Sequence, residues 1–113
     1  MKNSIKKSRD FKKVYENKKS YATKNLVIFV LRRGDMESNR CGISVSHKVG
    51  NSVVRHTLIR RIREIYRKYE KNIEENIDIV VVLRVGSEKK EFKELEEDFI
   101  SLCEKHGIVK KED

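Results

Sequence analysis

Residues 40–64 read RCGISVSHKVGNSVVRHTLIRRIRE, and two periodicities meet inside them. Cys41, Ile43, Val45 and His47 alternate with Gly42, Ser44 and Ser46, the pattern of a strand with one packed face and one small, polar face. Beyond the Gly50-Asn51-Ser52 step the period changes. On a helical wheel of about 100° per residue, Val54, Leu58, Ile62, Ile65 and Tyr69 fall within about 80° of one another, which is a core stripe. His56, Arg60, Arg63 and Arg67 fall within about 60° on the far side. A strand, a glycine turn and an amphipathic helix with a basic outer face are therefore expected in succession.

The flanking segments extend this pattern. SRDFKKVYENKK (8–19) offers Ser8 or Asp10 as an N-cap and sets Phe11, Val14 and Tyr15 on one face of a short helix, with Asn17 suited to a left-handed end. LVIFVLRR (26–33) is short and β-branched, a strand apolar on both faces, and GDMESN (34–39) reads as the turn after it. IDIVVVLRV (77–85) predicts a strand with Ile77, Ile79, Val81, Leu83 and Val85 on one side. FKELEEDFISLCEKHG (92–107) places Phe92, Leu95, Phe99, Leu102 and Cys103 on one helical stripe that Gly107 ends. Helix, strands, helix, strand, helix is an α+β or α/β sandwich. With no proline, repeat or low-complexity linker, residues 1–113 are expected to form a single domain.

Charge narrows the function. Lys and Arg number 27 against 18 Asp and Glu, a net charge of +9, and 40% of residues are charged against 37% hydrophobic. The imbalance is regional: residues 1–69 carry 19 basic and 5 acidic residues, residues 70–113 carry 8 and 13. A polyanion-binding face built by the first two-thirds of the chain follows. No apolar run approaches the ~20 residues of a membrane span, and MKNSIKKSRDF lacks the apolar centre of a signal peptide, so a cytoplasmic protein is expected. Cys41 and Cys103 sit in separate apolar patterns and read as reduced, buried thiols. His47, His56 and His106 have no zinc spacing, and the five glycines form no phosphate loop. The acids cluster in KEFKELEEDFISLCEK and the KKED tail, without a general acid–base pair or metal-binding arrangement, so no active site is expected in the polypeptide.

Three guanidiniums and an imidazole along roughly 16 Å of helix suit a run of phosphates better than a single ligand. Phe11 and Tyr15 among Lys6, Lys7, Arg9, Lys12 and Lys13, with Phe29 in mid-strand, resemble the ring-and-lysine surfaces that hold unstacked bases of single strands. A solvated basic face and aromatic core packing are the plainer alternatives. A structural RNA of the ribosome is a second partner that the charge pattern allows. A DNA-reading helix-turn-helix fits less well, because a strand and glycine turn precede the arginine helix.

The chain resembles the protein subunits of bacterial ribonuclease P in five segments taken in order: RDFKKVYENKK, LVIFVL, RCGISVSHKVGNSVVRHTLIRRIRE, IDIVVVLRVG and FKELEEDFISL. The resemblance implies an αβββαβα order around one four-stranded sheet, a further short strand near Tyr21 to Thr23, and a left-handed crossover through the arginine helix. It implies that Arg55, Arg60 and Arg63 engage the catalytic RNA subunit, with Lys48, His56, Arg61 and Arg67 in the same face. RHTLIR stands here where the family reads roughly RNRxKR. Phe11, Lys12, Tyr15, Phe29 and Ser44 are then expected to hold the single-stranded 5′ leader of precursor tRNA. The RNA would cut, using magnesium that it binds itself, and the polypeptide would raise substrate and magnesium affinity. No membrane and no protein partner is implied.

Overall fold

The computed structural model describes residues 4–34 and 38–111. Its elements are α1 (Ser8–Glu16), β1 (Ser20–Ala22), β2 (Leu26–Arg32), β3 (Arg40–Val45), α2 (Ser52–Tyr69), β4 (Ile77–Leu83) and α3 (Phe92–Lys105), with short 3-10 turns at Glu70–Asn72 and Ser87–Lys89. The order is αβββαβα, as the resemblance implied, and the strands form one mixed sheet in the order β1-β2-β4-β3. β4 runs antiparallel to β2 and parallel to β3. α2 is the connection that makes the parallel pairing possible.

β4 lies at the centre because its sequence is apolar on both faces. Ile77, Ile79, Val81 and Leu83 enter the main core with Leu26, Ile28 and Val30 of β2, Cys41 of β3, Leu58, Ile62 and Ile65 of α2, and Leu95, Phe99 and Leu102 of α3. Val80 faces the other way, into a smaller cluster with Ile5 and Val14, against which Phe11, Tyr15, Phe29, Leu31 and Val82 pack half-buried. α2 and α3 thus cover one face of the sheet and α1 only part of the other. An extended segment seals the outer edge of β3: Ser4 bridges to Cys41, and the Ile5 N–H donates to the Cys41 carbonyl at 3.0 Å.

The structure departs from the sequence expectations at element ends and caps. α1 has no side-chain cap, because Ser8 is already its first residue and Asp10 turns its carboxylate to Arg40 at 3.4 Å. Asn17 stays right-handed at φ −66°, with its Nδ2 donating to the Val30 carbonyl at 2.9 Å, and Lys18 takes the left-handed turn at φ 59°. His47 does not share the packed face of β3, which ends at Val45; it is exposed in the turn that follows. Val85 is 64% exposed because the pairing registers end at Leu26↔Leu83 and Val45↔Leu83, after which the chain turns at Gly86. The core stripe of α2 includes Tyr66, fully buried, whereas Val54 and Tyr69 are half-buried. The proposed turn at 34–39 lies partly outside the described residues, as do parts of the N-terminal and acidic C-terminal segments.

Among the described residues, Asp78 is the one buried charge, and the strand pattern concealed it. It is 1% exposed and faces α1. Arg40, its cross-strand neighbour, grips it with Nε at 2.9 Å and Nη2 at 2.7 Å, and Arg33 Nη1 approaches at 3.2 Å. The Arg40 guanidinium is held still more firmly in its charged form, first by the hydrogen bond to Asp78. Through Arg40 the pair reaches Asp10, so one ion network ties the first turn of α1 to β3 and β4.

Candidate nucleic-acid interface

The corner from β3 into α2 is built by two small residues. Gly50 sits so close to Val54 that a Cβ there would stand 2.6 Å from Val54 Cγ1. Asn51 then caps the helix, its Oδ1 accepting from the Val54 N–H at 3.0 Å. With the apolar stripe pressed on the sheet, His56, Arg60, Arg63 and Arg67 all come out exposed along the opposite side. Among the described residues no carboxylate lies within ion-pair distance of any of these four. α3, whose acids could have neutralised the row, reaches α2 by one ion pair, Glu96 to Lys68 at 2.9 Å.

The other cations expected in this face fall differently. Lys48 is exposed in the turn just before the cap. Arg55 is half-buried, with Nε buried and without a hydrogen-bond partner. Arg61 is set apart from the stripe, half-buried, with Nη1 donating to the Lys90 carbonyl at 3.4 Å. Thr57 spends its hydroxyl on the Val53 carbonyl at 3.0 Å. Val53, 72% exposed, adds an apolar contact beside His56, Arg60 and Arg63 that charge counting had missed.

A second concavity lies between α1 and the bare part of the sheet. Ser8, Phe11, Lys12, Tyr15, Ile43 and Ser44 line an open cleft of about 510 Å³. Phe29 belongs to the same group: Tyr15 meets it edge to face with ring centroids 4.8 Å apart, and Phe11 follows Tyr15 at 6.4 Å. All five cleft residues named from the sequence are therefore brought together. The choice posed for the rings, core or surface, resolves as both, since Phe11 and Tyr15 pack on Val14 and Val80 with one side while lining the cleft with the other. Sequence reading missed the role of Gly42. A Cβ at that position would lie 2.7 Å from Phe11 Cε1, so the glycine is the seat on which the ring rests.

A helix face of unneutralised guanidiniums and an aromatic cleft with small, polar edges are features of an RNA-binding protein. The Ribonuclease P family matches residues 1–107. The chain is 45% identical over 109 residues to the ribonuclease P protein component of Lachnoclostridium phytofermentans, covering 96% of this chain and 93% of that protein. It is 41% identical over 107 residues to the one from Clostridium botulinum, covering 94% and 96%. Among solved structures, the RNase P protein of Staphylococcus aureus superposes with a TM-score of 0.87 at 27% identity, over 95% of this chain and 97% of that one. The Thermotoga maritima protein gives 0.81 at 28%, over 90% and 96%. These relatives are protein components of ribonuclease P rather than ribosomal proteins. Matched along nearly its whole length in both sequence and fold, the chain belongs to the ribonuclease P family, as an accessory protein component of that tRNA-processing endoribonuclease.

Proposed function

We propose that the chain is one RNA-binding domain that holds two RNAs at once in the cytoplasm. His56, Arg60, Arg63 and Arg67, with Lys48 and Arg55 at the head of α2 and Arg61 on its flank, engage the catalytic RNA subunit. The cleft of Phe11, Lys12, Tyr15, Phe29 and Ser44 holds the single-stranded 5′ leader of precursor tRNA. The observation that carries this reading is the exposed row of guanidiniums left without carboxylates, since like charges one turn apart cost a few tenths of a kcal/mol each until an anion arrives.

Chemistry falls to the RNA. Among the described residues no group of three or more His, Cys, Asp or Glu side chains is placed to hold a metal ion. Magnesium, which the family resemblance implies, is assigned in this reading to the RNA subunit. The polypeptide acts by differential binding. A leader exists on precursor tRNA and not on the mature product, so a cleft that grips it favours substrate. The cations on α2 and Lys12 also lower the repulsion between two phosphate backbones, which helps divalent ions occupy the RNA.

Replacing Arg60 and Arg63 together with Ala tests the assignment. The slope of log affinity for the catalytic RNA against log salt should become shallower by about 0.7 to 0.9 per lost phosphate contact. An unchanged slope removes α2 from the interface. The intact chain should also restore cleavage of precursor tRNA by a bacterial catalytic RNA at low magnesium, and should cut nothing alone.

A further inference from the structure

At the opposite edge of the sheet from α2, a pocket of about 390 Å³ opens between β1 and the end of α3, lined by Asn17, Lys19, Tyr21, Val30, Arg32, Lys105 and His106. It lies outside both the α2 face and the α1 cleft: Val30 belongs to the core beneath α2 and α3, not to the cluster beneath α1. Its chemistry is set by three features. Lys19 and Lys105 have no carboxylate within ion-pair distance among the described residues, whereas Arg32 is engaged by Glu74 at 2.7 Å. Tyr21 is 48% exposed, an unusual place for a large ring, and is held edge-on to the His106 imidazole with centroids 4.8 Å apart. His106 is itself fixed, with Nε2 donating to the Ile28 carbonyl at 2.7 Å, so the neutral ring presents Nδ1 as an acceptor.

A lone phosphate would need the lysines but not the ring. A lone apolar group would need the ring but not the lysines. Two free ammonium groups around a fixed, half-exposed phenol and a hydrogen-bond acceptor suit an unpaired nucleotide, with its phosphate near the lysines and its base against Tyr21. We propose that this pocket is a further RNA-binding site, which seats one unpaired nucleotide at the β1 edge. The inference rests on the reading that the chain works on RNA. The nucleotide comes from the catalytic RNA or from the precursor, and the chemistry of recognition is the same for both.

The test compares Lys19→Ala/Lys105→Ala and Tyr21→Leu with the unaltered chain in two measurements, each over a salt series. One is the affinity of the protein for the catalytic RNA; the other is the affinity of the assembled holoenzyme for precursor tRNA. The lysine pair should flatten the salt dependence by about 1.4 to 1.8, two contacts' worth. Tyr21→Leu keeps side-chain bulk on the exposed edge and should lose about 5- to 150-fold in affinity, the range for one stacked base. Losses in the first measurement assign the nucleotide to the catalytic RNA, and losses in the second assign it to the precursor. A flattened slope with Tyr21→Leu silent overturns the base seat, and no change in either measurement overturns the site altogether. The Arg60/Arg63 variant, measured alongside, decides the α2 assignment separately, so failure of the pocket and failure of the RNA face are told apart.

Discussion

Gly42 shows how a missing side chain shapes a binding surface. Because a Cβ at 42 would overlap the Phe11 ring at 2.7 Å, Gly42→Ala must lift that ring or shift α1. The expected cost is about 1 to 3 kcal/mol of stability, the usual range for overpacking. Affinity for precursor tRNA should fall more than affinity for the mature form; equal losses would reassign the ring to packing alone. His106 carries a different, pH-dependent effect. Burial is the main influence pushing its pKa below the ordinary 6.5, helped by the nearby Arg32 charge and opposed by the hydrogen bond to Ile28. A depressed folded pKa means that the unfolded chain takes up the proton first. The stabilisation is therefore complete above pH 6.5 and declines as pH falls below it, until the folded imidazole also protonates. The midpoint of thermal unfolding should drop through this window, and His106→Gln should flatten that part of the curve. None of this was visible in the sequence. A glycine in an alternating strand looks like a small face, and what rests on it comes from a helix some thirty residues earlier in the chain.

Strands and helix interiors were legible because their periodicity is a record of which side is buried; their ends were not. The alternation in β3 and β4 held until the pairing partner ran out, which left His47 and Val85 in solvent. Capping failed at α1 for a related reason. Asp10 had a competing partner in Arg40, which lies thirty residues away and becomes a neighbour only when β3 pairs with β4. The same pairing explains Asp78, whose burial is tolerable because two arginines from adjoining strand ends meet it. Removing Asp78 takes the main counter-charge from the Arg33 and Arg40 guanidiniums, although Arg40 still reaches Asp10 at 3.4 Å. Asp78→Asn should cost about 3 to 5 kcal/mol in urea unfolding. Lys68→Ala, which breaks the exposed pair with Glu96, should leave the urea midpoint nearly unchanged. Equal losses for the two variants would mean that the Asp78 network is hydrated and contributes no more than a surface pair.

The division of charge along the chain was plain from the sequence, but whether the acidic third cancels the basic two-thirds depends on packing. In the fold, α3 lies beside α2 and touches its charges at Lys68 while the arginine row stays open. A molecule with a net charge of +9 that leaves its cations uncancelled repels itself when alone. Added salt screens that repulsion, so the free chain should melt at a higher temperature as ionic strength rises. In complex with the catalytic RNA the sign reverses. Ligand binding stabilises by about 2.7 kcal/mol at a hundredfold excess over Kd. A tenfold rise in salt weakens a complex of three or four phosphate contacts by about two to three and a half decades, which removes that stabilisation. Thermal melts of the chain with and without RNA at low and high salt should therefore converge from opposite directions. A free chain whose melting temperature falls with salt would show instead that its internal ion pairs outweigh the repulsion, and the case for a surface held in readiness for a polyanion would lose its electrostatic basis.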